Sequence, residues 1–243
     1  MLITELERPL LVRRAVSFGS AVVEGRVEVE GVVARRVASI GEARAVQGAG
    51  EIPVIVDPHG EWLAEYRPAV LVDARMLKRD PGPQPADARL TIGLGPGFEA
   101  PRNADAVIET NRGHFLGRVI WQGEPQPDTG RPGTVLGHTA DRVLRAPANG
   151  VVAGRAAIGA SVRAGEVVAE VGGEAVRAPF DGVLRGLVHD GLSVATGTKI
   201  GDLDPRGVRV HCFTLSEKSL AIGGGVLEAV LSAPPVRQLI RTA

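Results

Sequence analysis

The densest set of side chains able to do chemistry is the string Glu109-Thr110-Asn111-Arg112-Gly113-His114, held between apolar flanks. A histidine beside an acid, an amide and a guanidinium can act as a general base or hold a ligand. Asn111, Arg112 and His114 are therefore candidate ligand contacts, and His114 is a candidate catalytic residue. Asp73 is the second catalytic candidate. It closes the apolar run Ala69-Val70-Leu71-Val72, as Asp57 closes Ile52-Pro53-Val54-Ile55-Val56. In open α/β sheets ligands sit beyond the carboxyl ends of the strands; the competing role for each acid is to cap a helix or turn. Lys78 and Arg79 follow Asp73 at a spacing that suits an anionic ligand or a salt-bridged loop. A third run, Leu90-Thr91-Ile92, ends in Gly93-Leu94-Gly95-Pro96-Gly97. Gly93, Gly95 and Gly97 could approach a phosphate or merely make a tight turn, since the spacing is neither a Walker A loop nor a dinucleotide fingerprint. Gly223, Gly224 and Gly225 lead into an apolar segment. At a helix start their free N–H groups would receive an anion; otherwise they let the helix pack closely.

Other chemistries are excluded. The histidines, at positions 59, 114, 138, 189 and 211, show no metal-ligand spacing, and no metal is expected. No Gly-x-Ser-x-Gly elbow is present. The single cysteine, Cys212, forbids an internal disulfide and a Cys-rich zinc site. Lys+Arg and Asp+Glu both number 28, so no net field draws nucleic acid or an anionic membrane. No run of 18 apolar residues and no signal-type opening is present, which places the protein in the cytoplasm.

The elements that must position these groups follow from composition and pattern. The 243 residues include 32 Gly and 17 Pro but only 5 Phe, 2 Trp and 1 Tyr. That composition favours short strands closed by turns over a helical bundle. Residues 8–23 have helical spacing, with Leu11, Ala15, Val16, Phe18 and Val22 as an inner face. Residues 27–37 read as a strand pair or one bent strand around Gly31, residues 40–47 as a short helix, and residues 208–215 as a strand. The three apolar runs lack alternation, which marks strands buried on both faces of a parallel sheet. The expected fold class is α/β, with a mostly parallel sheet, plus an all-β domain.

The all-β expectation comes from a repeat. Ala146-Pro147-Ala148-Asn149-Gly150-Val151-Val152 recurs 32 residues later as Ala178-Pro179-Phe180-Asp181-Gly182-Val183-Leu184, and the glycines stay in register through Gly165 and Gly197. Residues 146–207 resemble the biotinyl/lipoyl carrier domain, a barrel-sandwich hybrid. Carrier domains put their modified lysine on the hairpin between the halves. Here that hairpin reads Val171-Gly172-Gly173-Glu174-Ala175-Val176-Arg177, and a guanidinium cannot replace the amine. No biotin or lipoate is expected.

Several strings together resemble the accessory proteins of selenium-dependent molybdenum hydroxylases, a family of molybdenum cofactor biosynthesis. They lie at 4–10, 52–58, 72–76, 92–98, 107–120 and 220–228. The resemblance implies a role in maturing or inserting the molybdenum cofactor, with a client hydroxylase as partner. Against the family pattern the chain starts at what would be the second strand, with Glu5 or Glu7 where a ribose-binding acid would sit, and Phe115 stands where an acid is expected. The domains expected are a Rossmann-like one over 1–138, a barrel-sandwich hybrid over 139–207, and a strand and helix over 208–243 returning to the first. The expected function is binding of a phosphorylated ligand, a molybdopterin-type cofactor or a nucleotide, at the α/β domain. A nucleotide-dependent enzyme acting on the cofactor and a purely structural client-docking adaptor are the alternatives, and a homo-oligomer is compatible with each.

Overall fold

The computed structural model describes residues 1–82, 88–130 and 133–242. Strands β1 (Ile3–Glu5), β2 (Arg26–Val29), β3 (Val32–Val37) and β4 (Ile52–Val56) form one sheet, in the order β1-β4-β3-β2. β1 and β3 run parallel to β4, whereas β2 is antiparallel to β3. Glu30 and Gly31 turn the β2–β3 hairpin with φ of 47° and 81°, a two-residue turn whose twist suits the flanking strands. Two short helices cover this sheet, α1 (Ala21–Glu24) and α2 (Ile40–Gly48). The Ser39 hydroxyl caps α2 by accepting the Glu42 N–H at 3.2 Å.

The next sheet contains β5 (Val70–Asp73), β6 (Leu90–Leu94), β7 (Ala106–Ile108) and β8 (Val119–Ile120), in that order. β5, β6 and β7 are parallel, and β8 returns antiparallel to β7. The one-turn helix α3 (Leu63–Tyr66) precedes it; α4 (Glu217–Ser232) and α5 (Pro234–Thr242) end the chain. Ile222, Val226, Ala229 and Val230 pack with Leu90, Ile92, Ala106 and Ile108.

β9 (Val143–Arg145) leads into the repeat, which supplies β10 (Gly150–Gly154), β11 (Ser161–Val162), β12 (Val167–Val171), β13 (Glu174–Arg177), β14 (Gly182–Leu187), β15 (Ser193–Val194) and β16 (Lys199–Asp204). They form two antiparallel sheets, β13-β12-β10-β15 and β11-β14-β16-β9. Each copy lends its shortest strand to the other: β10 pairs with β15, and β14 with β11. This exchange lets Val152, Val168, Leu184, Ile200 and Leu203 share one core, each side chain contributing about 1.5–3 kcal/mol by burial.

The chain divides into two compact units, residues 1–58 with 131–215, and residues 59–130 with 216–243. The expected fold class is thereby corrected. No Rossmann-like, mostly parallel sheet stands beside a separate barrel-sandwich domain. Instead the chain is β-rich, with four small four-stranded sheets, two of them wholly antiparallel. The apolar runs do become parallel strands, but 52–56 joins the β1–β4 sheet in the first unit, while 70–73 and 90–94 build the β5–β8 sheet in the second. Each of these sheets is closed by an antiparallel edge strand. A doubly wound sheet also needs covering helices in its crossovers, and among the described residues between β5 and β7 there is none.

Two local expectations also change. Residues 8–23 form two 3-10 turns, Arg14–Val16 and Phe18–Ser20, before α1, because Ser17 is extended and interrupts any helix. Residues 209–212 are a 3-10 helix rather than a strand.

In the first unit Arg14 ties the N-terminal turns to the repeat. Its Nε donates to the Leu187 carbonyl at 3.0 Å, and its Nη1 lies 3.5 Å from His189 Nδ1. His189 is buried, and its Nε2 lies 3.7 Å from Glu24 Oε1 without a hydrogen bond. Burial first, then the Arg14 charge, pushes the His189 pKa below 6.5; Glu24 and Asp190 oppose this. The folded state therefore disfavours the protonated ring. Stability should be full above about pH 6.5 and fall as the pH drops from there toward the folded pKa. The urea midpoint followed between pH 8 and pH 5 should show this slope, and His189→Gln should remove it; an unchanged slope in the variant would assign it to other groups.

Candidate functional site

The parallel strands β5, β6 and β7 present their carboxyl ends along one edge of their sheet, and most of the sequence candidates follow those ends. Asp73 is the last residue of β5 and is buried. Its carboxylate is fully engaged by Arg75: Nε donates at 3.0 and 3.1 Å, Nη2 at 2.5 Å, and the Arg75 backbone N–H at 3.1 Å. This is the turn-closing role, and it takes up the oxygens that a general base would need. Lys78 stands in a left-handed conformation, φ 59°, and its Nζ reaches Asp128 Oδ2 at 3.0 Å.

The glycine loop after β6 is filled by protein. A Cβ on Gly93 would lie 2.2 Å from the Phe98 ring, and one on Gly95 2.5 Å from Thr110 Oγ1. Gly97, at φ 104°, carries the Arg79 backbone carbonyl 2.2 Å from where its Cβ would be. The three glycines thus accommodate Phe98, Thr110 and the backbone of Arg79, which is the tight-turn alternative.

The string after β7 is organised by its acid. Glu109 is almost fully buried, and its two oxygens accept the backbone N–H groups of Asn111 and Gln126, each at 2.7 Å. Asn111 Nδ2 donates to Gln126 Oε1 at 2.8 Å. Arg112 pairs with Glu217 of α4. His114 is exposed and stands edge-on to Phe115, ring centres 5.0 Å apart.

Gly223, Gly224 and Gly225 lie inside α4, which starts at the Ser216 cap, so they do not form a helix N-terminus. Gly225 is the close-packing residue: its Cβ would fall 2.1 Å from the Gly117 carbonyl, whereas Gly223 and Gly224 face open space. Asp57 follows β4 in the first unit, whereas all the other candidates belong to the second. Asp73, residues 93–97 and residues 111–114 thus follow the parallel strands of one sheet, and Asp57 follows a strand of another.

Beside these turns a cleft of about 440 Å³ is lined by Lys78, Asp80, Gly97, Arg102, Glu124 and Asp128, among others. Its two cations are held by acids. Arg102 bonds Asp80 at 2.6 Å and Glu99 at 2.5 Å. Arg102, with help from the Gly82 N–H and Asn103, draws the Asp80 carboxyl down to about 2. Lys78, then the Gly130 N–H, lowers the Asp128 carboxyl, with Lys218 adding its charge.

Lys218 is the residue missed in sequence. It sits in the first turn of α4, where the helix dipole disfavours a cation. Burial pushes its ammonium pKa down, and the charges of Arg112 and Lys78 push it further, against Glu109 and Asp128. Two of the chain's three lysines thus influence each other's charge, and Arg112 reaches the same helix turn through Glu217. The signal available in sequence was the scarcity of lysine together with the Ser216–Ser219 capping pattern ahead of Lys218. Among the described residues no group of three His, Cys, Asp or Glu could hold a metal ion, and no helix is long and apolar enough to cross a membrane.

No family model matches the chain. Over 231 residues it is 46% identical to the uncharacterized protein YqeB of Escherichia coli K12. The alignment takes in 95% of this chain and 43% of that protein, so the chain spans less than half of its relative's length. A crystal structure of an aspartoacylase family protein from Mesorhizobium loti aligns with TM-score 0.25 and 18% identity, over 26% of this chain and 23% of that one.

Proposed function

We propose that the chain serves the maturation of selenium-dependent molybdenum hydroxylases by holding a phosphorylated ligand, a pterin cofactor or a nucleotide, at the carboxyl edge of β5–β6–β7. The observation that carries this reading is Arg112 held on Glu217 in the first turn of a 16-residue helix, with Lys218 next in that turn and partly desolvated, and Lys78 near enough to act on it by charge. The charges of Arg112 and Lys78 oppose that of Lys218 at a positive helix end, and Lys218 is partly desolvated besides. A phosphate group relieves both costs. Asp128 and Glu217 hold Lys78 and Arg112 in the meantime and would compete with the ligand. The resemblance of the strings at 72–76, 92–98 and 107–120 supplies the pathway, with a client hydroxylase as partner and the cytoplasm as the place of action.

Calorimetry with nucleotides and with molybdopterin tests the reading. Lys218→Met and Lys78→Met should each weaken binding about tenfold or more, the loss of one charge-assisted hydrogen bond. Asp128→Asn should strengthen it by releasing Lys78. Absence of binding for every ligand, or binding indifferent to both lysines, would end the proposal.

One observation favours a second reading, a structural adaptor for the client. Asp73 and Glu109 have their oxygens taken by turn-closing donors, and the glycines at 93–97 face protein atoms. In that case His114→Ala and Lys218→Met would leave client activation unchanged.

A further inference from the structure

Four guanidiniums and two carboxylates meet at the second copy of the repeat, all within the first unit. Arg142 bonds Asp202 at 3.2 Å, and Arg206 holds Asp204 at 2.6 and 2.9 Å. Each acid thus has its own arginine, and Arg13 and Arg185 are left over. Both donate to one oxygen, the main-chain carbonyl of His211, from Arg13 Nη2 at 3.0 Å and from Arg185 Nε at 3.4 Å. Arg185 lies 3.8 Å from Asp202 and from Asp204, beyond hydrogen bonding. Among the described residues no acceptor meets Arg13 Nη1 or either Nη of Arg185. Arg13 Nε and His211 Nδ1 are buried and have no partner either, whereas buried polar atoms are ordinarily hydrogen-bonded.

We propose that this cluster holds a phosphate group between Arg13 and Arg185, a site of the first unit independent of the one at the β5–β6–β7 edge. Charge selects the ligand. The guanidiniums exceed the carboxylates by two, and cations withdrawn from water are ordinarily paired. A phosphate is close to doubly negative at neutral pH, so one group offsets both, where a carboxylate offsets one. Its oxygens also accept the forked donors of two guanidiniums. His211, whose carbonyl the two arginines already share, offers Nδ1 as a further donor. The side chain of Arg185 is 11% exposed and that of His211 36%, so the cluster is built into the protein and still opens to solvent.

The repeat shows that the architecture does not itself call for these charges. In the first copy, 32 residues earlier, Arg185 falls on Ala153, Asp202 on Glu170 and Asp204 on Gly172. That copy builds β10 with an alanine where β14 has the guanidinium. Its one acid, Glu170, lies at the surface beside Arg155 at 2.7 Å. The cluster is an addition to the second copy. A network serving only to join strands would match its acids to its bases, and this one does not.

Thermal midpoints of the full chain in inorganic phosphate and in chloride, at equal ionic strength, test the site. The midpoint should rise with the logarithm of phosphate concentration, as it does for a bound ligand. Phosphate also stabilises folded proteins generally by exclusion from their surface, so the variants carry the decision. Arg13→Met and Arg185→Met should each weaken the apparent phosphate affinity about tenfold or more, the loss of a charge-assisted contact. Arg13→Lys should recover part of it. Arg155→Met removes an equal charge from the first copy and should leave the affinity unchanged. The rise should persist in Lys218→Met, which separates this site from the one proposed for the second unit. Methyl phosphate bound more tightly than inorganic phosphate would assign an organic phosphate ester as the source, and the reverse order the free ion. A midpoint that rises no more in the natural chain than in Arg13→Met and Arg185→Met, a loss equalled by Arg155→Met, or a rise abolished by Lys218→Met would overturn the proposal.

Discussion

Gly225→Ala lowers the stability of the protein by about 1–3 kcal/mol, the cost of overpacking, while Gly223→Ala and Gly224→Ala each raise it by about 0.5–1 kcal/mol. Helix propensity predicts the same gain at all three positions, since each lies inside α4. The sign is decided by what a Cβ meets. At Gly223 and Gly224 it meets nothing; at Gly225 it meets the Gly117 carbonyl at 2.1 Å and Ile108 Cγ2 at 3.0 Å. The carbonyl cannot retreat cheaply. Gly117 is itself left-handed, φ 82°, its N–H is bound to the Glu109 carbonyl at 2.9 Å, and a Cβ there would lie 2.5 Å from the Ala221 carbonyl. Helix and turn are therefore in backbone-to-backbone contact. A shift of α4 displaces Glu217 from Arg112, so if the proposed phosphate site is there, Gly225→Ala should also weaken it. Urea midpoints of the three single variants, measured in dilute solution, decide the matter; a stabilised Gly225→Ala would mean the helix yields without cost.

The three glycines also show how far the sequence could be read. A Gly-Gly-Gly run before an apolar segment is compatible with a helix start or with close packing, and local pattern does not choose between them. The choice was made by Ser216, nine residues before Gly225, which caps the helix earlier. The repeat of 146–207 was legible because glycines at turns recur wherever the backbone needs φ > 0, and a 32-residue period leaves a mark in one dimension. The sheets of the rest were not. Apolar runs at 52–56, 70–73 and 90–94 look alike, and nothing local in a buried strand says which neighbour it pairs with. The first joins Ile3–Glu5 and Val32–Val37, the others each other. At the candidate site the residue types were visible but their occupation was not. Asp73 reads as a free acid until Arg75, two residues on, is seen to close on it. Lys218 reads as an ordinary surface lysine until Arg112, far away in sequence, is seen to pair with its neighbour Glu217.

Asp202→Ala should destabilise the first unit by roughly 3–5 kcal/mol, because it strands two buried guanidiniums. Arg142 Nη2 lies 3.2 Å from Asp202 Oδ1, and Arg185 Nη1 lies 3.8 Å from Oδ2, with all three side chains about a tenth exposed. Burial already lowers the Arg185 pKa, and Asp202 and Asp204 are the charges that offset it. Arg13, whose pKa burial and then Arg185 lower in turn, depends on the same acids. Asp204 cannot take over the whole load, since its oxygens also hold Arg206, at 2.6 and 2.9 Å. Burial raises the Asp204 carboxyl, but the hydrogen bonds and charge of Arg206, with Arg185, outweigh it and leave the pKa below 3.8. What Asp204 contributes is therefore complete above about pH 4 and lost as the pH falls toward its folded value, so in the Asp202→Ala variant acid unfolding should begin at higher pH than in the wild type. The mechanism makes a further demand. If the cost is an uncompensated charge rather than lost packing, then removing the charges together, as Arg142→Leu, Asp202→Leu and Arg185→Met in one chain, should cost less than Asp202→Ala alone. A triple variant less stable than the single one would assign the effect to packing of this sheet face instead.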